Sequence, residues 1–151
     1  MEIRPATYDD IDALAVLFDA YRQFYGQPCD MAGAATFLRA RLDHQQSTIF
    51  VAAVGAAASE TLIGFTQLYP SFSSTRMAPI FILNDLFVTP DARQQGTASA
   101  LLRAAADFAR TQGALRLTLS TAHDNLAAQA LYEREGWTRD TAFRTYNLPL
   151  A

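Results

Sequence analysis

Residues 80–112 set three unlike stretches end to end. A nearly unbroken apolar run, Ile80-Phe81-Ile82-Leu83-Asn84-Asp85-Leu86-Phe87-Val88, is followed by a polar loop from Thr89 to Gln95. The segment from Gly96 to about Gln112 then carries Ala98, Leu101, Leu102, Ala105, Phe108 and Ala109 on one helical face. A run without alternation predicts a strand covered on both faces, and the helical spacing predicts an amphipathic helix that buries one side. The order strand, loop, helix implies an α/β fold. Asn84 and Asp85 are the only polar residues in the predicted strand.

The rest of the chain reads as further elements of the same kind. Glu2 to Ala6 is a short opening strand, and Thr7 with Asp10 resembles a capping box with Asp in place of the usual Glu. Ile11, Leu14, Ala15, Phe18, Arg22 and Tyr25 give a helix stopped by Gly26-Gln27-Pro28, and Asp30 can cap a second helix reaching about His44. Thr48 to Val54 and Leu62 to Tyr69 are β-rich runs, with a loop expected from Pro70 to Ala78. Gly113 closes the long helix, Leu115 to Thr121 alternates as a strand, Asn125 to Glu135 is helical, and Phe143 to Leu150 reads as a final strand. With no repeat and no linker, the 151 residues are expected to form one domain, 1–151.

Composition narrows the function classes. Half of the residues are hydrophobic, but they fall in short segments rather than one run of about twenty, and no signal-type leader is visible. A soluble, cytoplasmic protein with no membrane partner is expected. A net charge of -3 with scattered arginines leaves no basic stripe, so nucleic acid is not an expected partner. Cys29 is the only cysteine, which excludes an internal disulfide and a cysteine-based metal cluster, and no metal is expected. Neither His44 nor His123 is tied to Cys29 by a motif for nucleophilic catalysis.

The loop Arg93-Gln94-Gln95-Gly96-Thr97-Ala98 brings successive backbone N–H groups to a helix N-terminus, a setting suited to a pyrophosphate. Gly96 permits close backbone approach, Ala98 keeps the first turn slim, and Arg93 adds positive charge. The bare pattern arises by chance in on the order of one chain in seven. Its weight comes from its position between a buried strand and an amphipathic helix.

Residues 80–102 resemble the acetyl-CoA motif of the GNAT superfamily, Gln/Arg-x-x-Gly-x-Gly/Ala after a strand ending Leu-x-Val. Asn125-Leu126-Ala127-Ala128-Gln129-Ala130-Leu131-Tyr132-Glu133-Arg134-Glu135-Gly136-Trp137 resembles the superfamily's second block, with Trp137 in place of Phe. With the opening Ile3-Arg4-Pro5-Ala6-Thr7, the resemblance spans nearly the whole chain, and residues 20–47 and 70–79 are least determined by it. It implies a single-domain GNAT fold: a central mixed, mostly antiparallel sheet of about seven strands flanked by about four helices. It also implies acetyl-CoA as cosubstrate, with Leu86, Phe87, Val88, Arg93, Gln94, Gln95, Gly96, Thr97, Ala98 and Asn125 as its contacts. Asn125 reads equally as a helix N-cap. Homodimerisation is implied on the same basis.

The chemistry implied is direct attack of a neutral amine on the thioester. An ammonium of pKa about 10.4 costs roughly 4.6 kcal/mol to present neutral at pH 7, so a base is useful. Asp85 is the candidate base or amine anchor. Strand alternation puts Asn84 on the opposite face unless a bulge intervenes. By resemblance, Tyr132 is the general acid toward the leaving thiolate, and the Val88 amide polarises the acetyl carbonyl. Tyr21, Tyr25 and Asn84 are candidate contacts for the acceptor, whereas Phe24 is expected to pack in the core. The strand is most similar to that of diamine and polyamine acetyltransferases, which have Glu-Asp where this chain has Asn84-Asp85, and an amide cannot take a proton. The expected acceptor is a primary amine of a small molecule. The alternatives are a protein lysine or N-terminus, or a catalytically silent coenzyme A-binding module.

Overall fold

Thr7 and Asp10 close the first turn as the capping pattern predicts: the Asp10 carboxylate accepts the Thr7 N–H at 2.7 Å. The turn is a 3-10 turn, Tyr8–Asp10, and it leads into α1 (Ile11–Phe24). Arg4 grips the same carboxylate through both terminal nitrogens at 2.8 Å and reaches Glu60 Oε2 at 2.6 Å, tying the first strand to two later segments. That guanidinium holds the Asp10 carboxyl below the usual carboxylate range.

The computed structural model describes residues 1–151. The chain divides into two compact units, Met1–Ser120 and Thr121–Ala151.

The first unit contains β1 (Glu2–Pro5), α1, α2 (Met31–Asp43), β2 (Thr48–Val54), β3 (Thr61–Ser73), β4 (Ala78–Val88), α3 (Thr97–Thr111) and β5 (Leu117–Thr118). The sheet runs β1-β2-β3-β4-β5, antiparallel except for the parallel β4–β5 pair. A mixed, mostly antiparallel sheet with four helices in the chain matches the expectation, but five strands form rather than about seven.

Each face of the sheet buries its own cluster. Ile49, Val51, Phe65 and Phe87 face α1 and α2, packing with Leu14, Phe18, Ala34 and Leu38. Ala52 and Val88 face α3 and pack with Leu101, with Leu86 and Ala98 at the edge. Gly64 lies close against β4, where a Cβ would meet the Phe87 carbonyl oxygen at 2.9 Å. The Asp30 side chain caps α2 by accepting the Gly33 N–H at 2.9 Å. Buried Asp19 of α1 accepts the Asp30 N–H at 2.8 Å and so fastens the end of one helix to the start of the next.

Several sequence expectations need correction. The predicted loop from Pro70 to Ala78 is mostly strand: β3 continues to Ser73, with Pro70 opposite Phe81. β2 stops pairing at Leu68, so beyond it β3 has β4 on one side only. The Phe81 N–H donates to Arg116 O on the β5 side, so the backbone of its opposite residue Pro70 also points away from β4. Proline's missing donor therefore falls at a free edge, where strands tolerate it. The strand expected from Leu115 to Thr121 contracts to Leu117–Thr118, because only Phe81 and Ile82 pair with it.

The second unit contains α4 (Leu126–Arg134), capped by Asn125 Oδ1 accepting the Ala128 N–H at 3.3 Å. Gly136 turns the chain out of the helix at φ +91°, and the Trp137 N–H donates to Tyr132 O at 2.9 Å. The final strand expected from Phe143 to Leu150 does not form. Its apolar side chains Phe143, Tyr146, Leu148 and Leu150 are all exposed.

Candidate active site

β4 carries a bulge at Asn84. Asp85 pairs with Gln67 and Leu83 pairs with Leu68, so one extra residue stands between two consecutive partners on β3. A bulge breaks the two-residue period of the pleat, and it resolves the alternative left open by the sequence. Asn84 and Asp85 do not point apart: Asn84 Nδ2 donates to Asp85 Oδ1 at 3.0 Å.

Asp85 is thereby brought to the α1 side of the sheet, where it is 3 % exposed. Gln67 Nε2 donates to its Oδ2 at 2.5 Å, and the hydroxyl of Thr66 donates to its backbone carbonyl at 2.8 Å. The Tyr21 hydroxyl, from α1, donates to Asn84 O at 3.2 Å. Burial pushes the Asp85 carboxyl above the usual carboxylate range, while hydrogen bonds from Gln67, Asn84 and Tyr21 pull it back. Tyr69, two residues beyond Gln67 on β3, is half-buried, and burial together with the Asp85 charge pushes its phenol up to about 12.

Tyr21 stacks edge-on against Tyr25 at 5.0 Å and also contacts Phe65 and Phe87. Tyr25 is mostly exposed and packs edge-on against Phe24 at 5.2 Å. Phe24, expected in the core, is instead 64 % exposed as the last residue of α1. Tyr21, Asn84 and Asp85 therefore meet at one place, and Tyr25 adjoins it through Tyr21.

The second centre lies at the end of β4. The Thr89 N–H donates to Ile63 O on β3 at 2.9 Å, so strand alternation turns the Val88 N–H to the other edge. At that edge β5 pairs only with Phe81 and Ile82, and the strands part before Val88 is reached. Arg93 Nε donates to Val88 O at 3.0 Å, and its guanidinium lies 5.9 Å from the centre of the Phe87 ring.

Between Arg93 and α3 the backbone passes through two left-handed residues, Gln94 at φ +59° and Gly96 at φ +81°. Such turns make concave nests of N–H groups that bind anions, here at the N-terminus of a helix 15 residues long. A Cβ on Gly96 would meet nothing within 4 Å, so the space in front of it is open. Gln94 and Gln95 are exposed, Ala98 is half-buried in the first turn, and Thr97 is buried. These residues fit a pyrophosphate-bearing cosubstrate: open space over a nest, a helix N-terminus and a guanidinium.

Tyr132 and Asn125 lie on and just before α4 in the second unit. Tyr132 is half-buried with its ring 6.0 Å from that of Trp137, and the Asn125 side-chain oxygen serves as the helix cap. Cys29 is exposed, and a hydrogen bond to the Asp19 carboxylate pushes its thiol up, the opposite of what an activated nucleophile needs. No three His, Cys, Asp or Glu side chains gather as metal ligands, and no helix is long and apolar enough to cross a membrane. Gln67 and Tyr69 were not singled out from the sequence. The only signal for Gln67 was one amide in an otherwise β-rich run.

Comparison with known proteins gives a consistent set of relatives. The model of the acetyltransferase (GNAT) family matches residues 14–137. An uncharacterized N-acetyltransferase of Bacillus subtilis (strain 168), YhfO, is 49 % identical over 148 residues, covering 98 % of this chain and 97 % of that protein. A thialysine N-epsilon-acetyltransferase of Caenorhabditis elegans is 26 % identical over 145 residues, covering 90 % of this chain and 88 % of that one. Among solved structures, that of a probable acetyltransferase is 42 % identical, with a TM-score of 0.93 over 100 % of this chain and 99 % of that one.

Proposed function

The chain belongs to the GNAT family of acetyltransferases, and on that premise we propose that it transfers the acetyl group of acetyl-CoA to the primary amine of a small molecule, with Asp85 as the base. Acetyl-CoA is the acetyl donor of the family, and when bound it supplies a thioester electrophile. The observation that carries the reading is the Asn84 bulge, which seats a buried carboxylate of raised pKa beside Tyr21. A strand without the bulge would have turned that carboxylate toward α3.

The chain's own groups divide the work. The nest from Arg93 to Ala98, at the N-terminus of α3, would hold the pyrophosphate, and Leu86 and Phe87 would flank the adjoining arm. The Val88 N–H, turned to the open edge of β4, donates to the acetyl carbonyl as negative charge develops there. Asp85 takes a proton from the arriving ammonium: the N–H bond breaks, an O–H bond forms on the carboxyl, and the nitrogen lone pair is freed to attack. A raised carboxyl pKa narrows the gap to the ammonium, which favours this transfer. As the C–S bond breaks, Tyr132, assigned from its place in the Asn125–Trp137 block, would donate its phenolic proton to the departing thiolate, and the second proton of the attacking nitrogen would return to the phenolate as the amide forms.

A small acceptor is supported by the confined site, where Tyr21 and Asn84 meet over a carboxylate that is nearly inaccessible. The thialysine enzyme among the relatives acts, by its name, on the side-chain amine of an amino acid. The homodimer expected from the sequence is kept as a proposal, supported by the exposed apolar residues Phe143, Leu148 and Leu150; light scattering tests it.

The decisive assay is thiol release from acetyl-CoA across diamines, polyamines, amino acids, aminoglycosides and a lysine-rich peptide. Release with one small-amine class supports the reading, release with the peptide alone replaces it by protein acetylation, and tight acetyl-CoA binding without release overturns it in favour of a silent module.

A further inference from the structure

The Gln67 amide is fully buried on β3, between Thr66 and Leu68, yet only half of it is bonded. Its Nε2 donates to Asp85 Oδ2 at 2.5 Å, while its Oε1 has no hydrogen-bond partner. A buried acceptor left unpaired is destabilising, and an apolar side chain of the same length would fill the space without that penalty. Packing therefore does not account for glutamine here. The register partner of Gln67 is Asp85, with no residue intervening.

We propose that Gln67 is the positioning residue of the site: it holds the Asp85 carboxylate for the acceptor amine through Nε2 and presents Oε1 to a second N–H of that amine. The inference rests on Asp85 being the base. An amide bound through Nε2 to a carboxylate has its oxygen directed elsewhere by the planarity of the group, so donor and acceptor are fixed together. An incoming ammonium offers three N–H groups. One goes to Asp85 and is the one transferred, and one satisfies Oε1 and sets the rotation of the nitrogen about the bond to its carbon. An ionised carboxylate at position 67 could accept but not donate, and methionine could do neither.

Donation from Gln67 also favours the ionised form of Asp85 against the burial that opposes it. The other titratable or charged groups facing this place are Tyr21 from α1, which hydrogen-bonds at Asn84, Tyr69 from β3, whose phenol lies too high to ionise near neutrality, and Arg41 from α2.

The test uses the full chain with its aspartate carboxyls labelled with carbon-13, the Asp85 signal being assigned by its loss in Asp85→Asn. In Gln67→Met the Asp85 midpoint should rise by about 1 unit, the size expected on losing one hydrogen bond to a charged group. The acid limb of kcat/KM for the preferred amine should move by the same amount, and its KM should rise roughly tenfold. Gln67→Glu keeps the shape and should also raise the midpoint, through like-charge repulsion, so the test survives poor folding of the methionine variant. An unchanged midpoint in both variants overturns the inference. A midpoint that moves while the rate profile does not leaves Gln67 holding Asp85 but overturns Asp85 as the base, which separates the two failures.

Discussion

Phe81 and Phe87 stand an even number of residues apart on one strand, yet they pack on opposite faces of the sheet. Phe81 meets Phe108 of α3 at 5.3 Å, whereas Phe87 meets Tyr21 of α1 at 6.4 Å. The pleat alone would put them on the same side, and the single extra residue at Asn84 is what separates them.

Deleting Asn84 should therefore be far worse than substituting it. Without the bulge, one half of β4 must turn over, so that either Asp85 enters the α3 face or Phe81 leaves it. An unpaired buried carboxylate alone costs about 3–5 kcal/mol. A lowered thermal midpoint, or failure to fold, is expected for the deletion, with Asn84→Ala within about 1 kcal/mol of the parent by denaturant melts.

Asp85→Asn should separate activity from stability. As base, Asp85 must be ionised, so kcat/KM should rise with pH through its raised midpoint, and the asparagine variant should lose at least about 100-fold together with that limb. Stability runs the other way. Between the ordinary carboxylate pKa and the raised native one, the folded state holds more protons than the unfolded state, so folding stability falls as pH rises through that window. Urea melts at several pH values should show this fall in the parent and its absence in Asp85→Asn.

Gly96→Val should weaken acetyl-CoA binding more than it weakens the fold. The left-handed backbone carries a strain of about 1–2 kcal/mol for a residue with a Cβ, but that Cβ would meet no protein atom in the free chain. It would instead occupy the space a pyrophosphate needs. Calorimetry should find acetyl-CoA affinity lowered by at least tenfold, and comparable affinity would show that the anion sits elsewhere.

Tyr132→Phe keeps the ring packing against Trp137 and removes only the hydroxyl. If that hydroxyl protonates the leaving thiolate, turnover at saturating substrates should fall by roughly 100-fold with acetyl-CoA binding retained. Unchanged turnover would remove it from the mechanism.

The sequence was most legible where one segment carries its own instructions. β2 occupies Thr48–Val54 as its β-branched and aromatic residues predict, and α3 lies between Gly96 and Gly113, whose positive φ angles mark its two ends. The turn from Arg93 into α3 was readable for the same reason. What depends on a partner strand was not readable. Nothing in Leu83-Asn84-Asp85 announces a bulge, because the bulge exists only relative to Gln67 and Leu68. Phe143 to Leu150 read as a strand, but composition states only that a segment can pair. Gln67 was missed because its meaning comes from the residue across the ladder rather than from its neighbours in sequence.

Beyond Leu68 the β3–β4 hairpin continues with the β3 flank no longer covered by β2. Such a flank is a template on which another chain could add a strand and begin to aggregate. Pro70 stands on that flank with no N–H to offer, interrupting the row of donors just where the sheet stops protecting them. The residue that looks like a break in the chain thus serves solubility, guarding a long hairpin against edge-to-edge association.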